Sequence, residues 1–472
     1  MLQRKDESCR NRRRSVRALL WLVVAAVCFL SGFWLALILS GAVELQSDQA
    51  TPAAGAESEP AEQDEPETDF RGRWHVFRRA GVVTQVEEAR RELAENMEQI
   101  LALGYVDGSM PAPGAANLVY YDRNAAYPGY NIYSSGHAAD VTLMDMECRV
   151  LHVWQKSFAE IWPNVPPEER PRSRWFVRRF HVFPNGDILL LFRDCGLVKL
   201  NSHSEILWVY SGKVHHDLFV GEKGTIHVLL AEDHVVSRVN AKEKVREDFI
   251  VTLDANGQEV SRFSLLGALE ASPYRTLMQY MPKERDLFHT NTLELLDGRL
   301  ANRCEAFAAG NFLISIWTLD TIAVVDPSAK QITWAQCGLW RKQHQPTVLD
   351  NGNLLVFDNL GYDGYSQVIE LDPFSQEIAW TYHGTPPEAF LTTTCGSCQR
   401  LPNGNTLVTE SDNGRAMEIT PDKRTVWEFI NPNRAGKGGF FIATLFEVIR
   451  LPQDFPIEWA KNADLPAKRD DS

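Results

Sequence analysis

Basic residues are under-represented in this chain. It has 48 Lys and Arg against 62 Asp and Glu in 472 residues, a net charge of −14. A general nucleic-acid binder presents a basic surface, so that class is excluded. Charge of either sign is missing from Ala18 to Val43, 26 residues long, and base is missing from residues 44–70, which hold nine acids. No N-x-Ser/Thr sequon follows the apolar run, which points to a bacterial periplasm rather than a eukaryotic lumen. Cys395-Gly-Ser-Cys398 has no second C-x-x-C or Cys/His pair after it. It therefore lacks the other half of a zinc site, and reads as a structural disulfide or two buried thiols. What the chain does have is a 44% hydrophobic content, enough to bury a core.

The uncharged run is long enough to cross a hydrocarbon core as a helix, at about 1.5 Å per residue. Seven Lys and Arg precede it, against Asp6 and Glu7. The positive-inside rule then places residues 1–17 in the cytoplasm. The expectation is a single-pass inner-membrane protein with its C-terminal domain in the periplasm. A cleaved signal peptide is the alternative, although no clear A-x-A site follows the apolar run directly. Residues 44–70, rich in Ala, Pro and acid, read as a disordered tether. Residues 71–130 read as a helical segment, because Val83, Val86, Leu93, Met97, Ile100 and Leu101 fall at helical spacing. That helix packs on its own domain or, alternatively, forms a coiled-coil seam in a homodimer.

From residue 131 to 452 the pattern is short strands and turns, followed by a tail over 453–472. Two elements repeat. The first is a turn entering a strand: FPNGDILLLF (183–192), LDNGNLLVF (349–357) and LPNGNTLVT (401–409), with looser forms at 221–230 and 295–301. The second is a polar residue, a short turn and then an aromatic: Asp145 with Trp154, Asn201 with Trp208, Asp254 with Phe263, Asp326 with Trp334, Asp372 with Trp380, and Thr420 with Trp427. The aromatics lie 54, 55, 71, 46 and 47 residues apart. A unit of about 45–55 residues is the size of a propeller blade. The fold expected is all-β, a six-bladed β-propeller. The long interval holds a helical insertion at 264–281. Segment 440–452 is a final strand suited to closing the ring against an early one.

In a propeller the inner strand of each blade starts near the central channel, so the turn glycines act as a ruler. His216 lies eight residues before Gly224, His289 nine before Gly298, His344 eight before Gly352 and Cys395 nine before Gly404. Three histidines at one axial level suit a metal site, a nucleophile or an anion cage. Asp363 and Asp412 lie in Gly/Asn loops and read as solvated turns.

The words that hold these histidines are VHHDLF (214–219), FHTNTLELLDG (288–298) and KQHQPTVLDNGNLLVFDN (342–359). In this order and register they resemble the bacterial arylsulfate sulfotransferases, six-bladed propellers that need no nucleotide sulfate donor. The resemblance covers about residues 130–450. It implies a small-molecule aryl sulfate donor and a phenolic acceptor, with no cofactor and no metal. It gives His344 the role of the nucleophile that takes the sulfuryl group. It gives His216, His289 and Asn291 the role of holding the sulfuryl oxygens, with His215 and Trp317 as further substrate contacts. Where the family carries an arginine, in an S-x-R segment, alignment to Asp326 places Trp317. Arg299, Arg303 and Arg341 are the nearby guanidinium groups. Two other classes remain: a non-catalytic propeller that binds a partner or glycan in cell-envelope assembly, and a metal-dependent hydrolase, which lacks an acidic ligand set.

Overall fold

The computed structural model describes residues 74–75, 116–166, 169, 176–435 and 439–460. The basic stretch 1–17, the apolar run 18–43, the acidic tether 44–70, the amphipathic stretch 83–103 and residues 461–472 lie outside the described residues. Among the described residues no helix is long and apolar enough to cross a membrane.

Among the described residues six sheets of at least four strands each make six blades; they are antiparallel except where Arg285–Asp286 pairs in parallel with Val245–Leu253. In blades two to five the strands follow one another along the chain. The other two are composite. The inner strand of blade one is Leu445–Pro452, paired with Gly129–Ser135. Asn117–Tyr121 pairs outside Thr425–Ile430 as the fifth, outermost strand of blade six. The two chain ends therefore close the ring in opposite directions, and each covers a sheet edge that would otherwise be open. The C-terminal closure is as the sequence predicts. The N-terminal one is not: Asn117–Tyr121 falls in the segment read as helical and is a strand. A second short strand from that segment, Trp74–His75, pairs with Phe441–Ala443.

Both sequence repeats have a local physical cause. In the turn between first and second strands, Gly352 adopts φ +85°, and the Asn351 side chain accepts from the amide of Asn353 at 3.0 Å. The polar residue of the second repeat caps the turn between third and fourth strands. Asp254 Oδ1 accepts from the amides of Asn256 and Gln258 at 2.8 and 2.9 Å, and Asn201, Asp326 and Asp372 do the same in their blades. The aromatic that follows lies on the outer strand. Its indole N–H reaches the next blade: Trp154 donates to Gly186 O at 3.0 Å, Trp208 to Ala255 O at 3.2 Å, Trp380 to Pro421 O at 2.9 Å and Trp427 to Met146 O at 3.0 Å.

The core is correspondingly a set of six apolar layers, one between each pair of neighbouring blades. The insertion after blade three forms a helix, Leu265–Glu270, capped by Ser264, and fills the layer between blades three and four. Part of the segment expected as a tail is also packed: Trp459 lies 5.2 Å from the Trp154 ring and donates to Pro184 O.

Candidate functional site

Inner strands of a propeller converge on its axis, and here they are irregular where they begin. The strand register breaks between Leu445 and Glu447, Val177 and Arg179, Val214 and Leu218, Thr290 and Thr292, and His344 and Thr347. The residues at these breaks include Phe446, Arg178, His216, Asn291 and Gln345. A bulge of this kind re-aims side chains. Left-handed backbone accompanies it at His216 (φ +55°), His289 (+50°), Gln345 (+46°) and Cys395 (+60°). Each such conformation costs on the order of 1–3 kcal/mol and persists only where the surroundings enforce it.

The re-aimed side chains enclose a small cavity on the axis, with about 20 Å³ of space for water centres. All six blades contribute: Phe446, Arg178, His216, Asn291, His344 and the Gly396–Ser397 pair. That is space for about one water molecule, too little for an aromatic ring.

His344 is 5% exposed. Its Nδ1 lies 2.8 Å from Asn359 Oδ1 and 3.1 Å from Lys342 O. The Asn359 amide nitrogen donates to Thr392 O and Cys395 O, both at 2.9 Å, which fixes which end of the amide faces the ring. Both neighbours of Nδ1 are thus acceptors, so Nδ1 carries the proton and Nε2 holds a lone pair. Burial, with help from the Arg178 charge, pushes the His344 pKa down to about 3, against the opposing effect of Asn359. At neutral pH the ring is uncharged.

His216 is also buried, and burial together with His289 holds its pKa well below an ordinary histidine. Its Nδ1 lies 2.9 Å from Nδ1 of His215. His215 lies behind the cavity rather than on it, with Nε2 3.3 Å from Asp248 Oδ1. Burial pushes Asp248 up, but His215 and the Thr290 amide outweigh it, so the carboxyl stays low. His289 packs on His216 at 4.6 Å between ring centroids, one layer nearer solvent, with Nδ1 2.7 Å from Asp286 Oδ2. Asn291 lines the cavity and donates to Gln343 O at 2.9 Å. Trp317 does not line it; its ring lies 5.3 Å from His289 and carries Lys342 Nζ at 4.2 Å.

None of the three nearby arginines reaches the cavity. Arg299 pairs with Asp297 and Asp350, Arg303 pairs with Asp372, and Arg341 is exposed. The guanidinium groups at the cavity come from blade two. Arg179 is held by Asp217, 2.6 Å away, and by Glu447. Burial pushes Asp217 up while Arg179 opposes it. Arg178 is 8% exposed and lies over the Phe446 ring at 5.3 Å.

The glycine ruler would have found Arg178, which lies eight residues before Gly186. Asn359 belongs to the FDN word, although nothing there shows which ring it orients. Asp248 and Asp286 left no sequence signal. Cys395 and Cys398 are not joined by a disulfide, and burial pushes the Cys398 thiol up to about 12. Asp412 is not a solvated turn: it is 9% exposed and accepts from the amide of Thr393 and the hydroxyl of Thr394.

Among solved structures, a protein of unknown function from Bacteroides caccae is similar at 12% identity over 68% of this chain and 98% of its own, with a TM-score of 0.44. A streptogramin B lyase is similar at 13% identity over 73% and 96%, with a TM-score of 0.39. A virginiamycin B lyase from Staphylococcus aureus is similar at 12% identity over 58% and 83%, with a TM-score of 0.34. No curated protein sequence matches the chain. A family model for arylsulfotransferase (ASST) matches residues 182–432, more than half of the chain, and takes in the His216, His289, Asn291 and His344 words. The chain belongs to the arylsulfotransferase (ASST) family.

Proposed function

We propose that this protein transfers a sulfuryl group from an aryl sulfate to a phenolic acceptor by way of His344. The observation that carries this reading is the fixed, neutral tautomer of His344. Its Nδ1–H is committed to Asn359 Oδ1 and Lys342 O, and its Nε2 lone pair is what a nucleophile requires. In the first half-reaction Nε2 attacks sulfur, the aryl oxygen–sulfur bond breaks, and the phenolate leaves with the electron pair. In the second, the acceptor phenol's oxygen attacks the same sulfur, the nitrogen–sulfur bond breaks, and the phenol's proton passes to solvent. His344 returns to its starting state.

Cavity size supports the division of labour. In this reading the sulfuryl group faces the axial space and the aryl ring stays outside it, toward the more exposed His289 and Trp317 layer. His216 and Asn291 stand at the cavity, where donors neutralise charge developing on the sulfuryl oxygens. His289, held by Asp286, is placed to act from the mouth.

The test is transfer from p-nitrophenyl sulfate to an added phenol by the full-length protein with no nucleotide donor. Wild type turns over and His344→Ala does not. No transfer across several phenols, with the fold intact, would move the assignment to a non-catalytic propeller.

A further inference from the structure

The resemblance places Trp317 where the family carries its sulfate-binding arginine, and a buried anion site without a guanidinium would lose a major part of its binding. We infer that Arg178, from the second blade, supplies that guanidinium and directly contacts the sulfuryl oxygens of donor and intermediate. This rests on the sulfuryl-transfer reading above and names a further catalytic residue for it.

Position is the first argument. Arg178 stands eight residues before the turn glycine of its blade, the same offset as His216 and His344 in theirs. It lies at the register break between Val177 and Arg179 and lines the axial cavity with His216, Asn291 and His344. The axial ring of functional side chains therefore extends one blade further than the histidines reveal.

Electrostatics is the second. Two arginines enter the site side by side, and they are treated differently. Arg179 takes both nearby carboxylates, Asp217 and Glu447. Arg178 pairs with no carboxylate among the described residues, although it is only 8% exposed. An uncompensated buried cation is costly. An arriving anion removes that cost, so the site binds a charged ligand by relieving its own unpaired charge. The same charge helps keep His344 neutral, which joins anion binding and nucleophile activation in one residue.

Rigidity is the third. The Arg178 guanidinium lies over Phe446, which itself stacks on Phe176 at 4.6 Å and 26° between planes. A planar group held on an aromatic ledge presents a fixed edge to two oxygens. Arg178 lies outside the matched family segment, which begins at residue 182, so a reading confined to that segment does not include it.

The experiment compares full-length wild type, Arg178→Met and Arg178→Lys. Two readouts are used: turnover of p-nitrophenyl sulfate, and thermal protection by inorganic sulfate. Arg178→Met should lower kcat/KM by about 10²–10³-fold and lose the protection by sulfate. Arg178→Lys should fall between, because it keeps charge but not the two-pronged geometry. Arg303→Met, which removes an exposed pair with Asp372, should match wild type. The Met variant removes a buried charge while keeping an apolar stem over Phe446, and its unfolding temperature without sulfate checks its fold. Turnover and sulfate protection both within threefold of wild type in Arg178→Met would overturn the inference. If wild type turned over no aryl sulfate, the transferase reading would fail. A loss of sulfate protection confined to the Arg178 variants would then still support the anion contact.

Discussion

In the transfer proposed above His344 enters as an uncharged ring, and the pH dependence expected of it follows from that. With its pKa near 3 in the folded protein, Nε2 is available at every pH above about 4. The acid limb of kcat/KM should lie below pH 5, whereas an exposed histidine would place it near 6.5. Asn359 acts through this ring. In the proposed first half-reaction the ring becomes cationic as sulfur bonds to Nε2, and the Nδ1–H to Oδ1 bond would strengthen from a neutral to a charged hydrogen bond. Such bonds contribute about 1.5–3 kcal/mol. Asn359→Ala should therefore lower kcat by about 10- to 100-fold and change KM for the aryl sulfate little. An equal loss in a variant whose KM rises in step would show that Asn359 serves binding instead. The sequence displayed His344 through its spacing from Gly352. It hid the tautomer, which is set by partners 2 and 15 residues away on other turns.

At the scale of elements, ring closure depends on the strand Leu445–Pro452. Its Arg450 is fully buried with Glu418 of blade six, 3.0 Å apart. Arg450 also donates to Asn131 Oδ1 at 2.7 Å and to Tyr127 O, and Asn405 and the Tyr127 amide complete the Glu418 oxygens. This network joins blade one to blade six. Breaking one member leaves a buried, unpaired charge, so Arg450→Met should destabilise by about 3–5 kcal/mol in urea unfolding, and Glu418→Gln in the same background should recover part of it. A loss below about 1 kcal/mol would show that the apolar layer alone closes the ring. Element-scale structure was the most legible part of the sequence, because each aromatic and each turn residue answers to a local rule repeated six times. The outer strand Asn117–Tyr121 was not legible. It pairs with residues some 300 positions away, and its composition carries no alternation strong enough to separate it from the segment before it.

Over the whole molecule, buried and half-buried histidines contribute to the response to acid. Burial pushes His152, His181 and His227 down to about 4, and His344 to about 3. In the unfolded chain each titrates near 6.5. Their contribution to stability is complete above about pH 6.5, and it is lost as pH falls toward 4, because only the unfolded chain takes up those protons. His216, held low by burial, acts in the same sense. Glu294, pushed up to about 8 by burial, acts in the opposite sense, as do Asp217, Asp358 and Glu410, which burial also raises. Denaturation midpoints should fall between pH 6.5 and 4.5; a flat or rising profile would contradict the neutral assignment of these rings. The fold and the order of the blades were legible because they rest on periodicity. The aromatic ledge beneath Arg178 was not, because Phe446 comes from the far end of the chain and meets Arg178 only when the ring closes. The account turns on a covalent intermediate, and that can be measured directly. Full-length protein mixed with excess p-nitrophenyl sulfate and no acceptor should release one equivalent of nitrophenol in a burst. It should gain about 80 Da, one sulfuryl group, on the peptide that contains His344, and an added phenol should remove it. Turnover without that adduct, or an adduct that persists in His344→Asn, would contradict it.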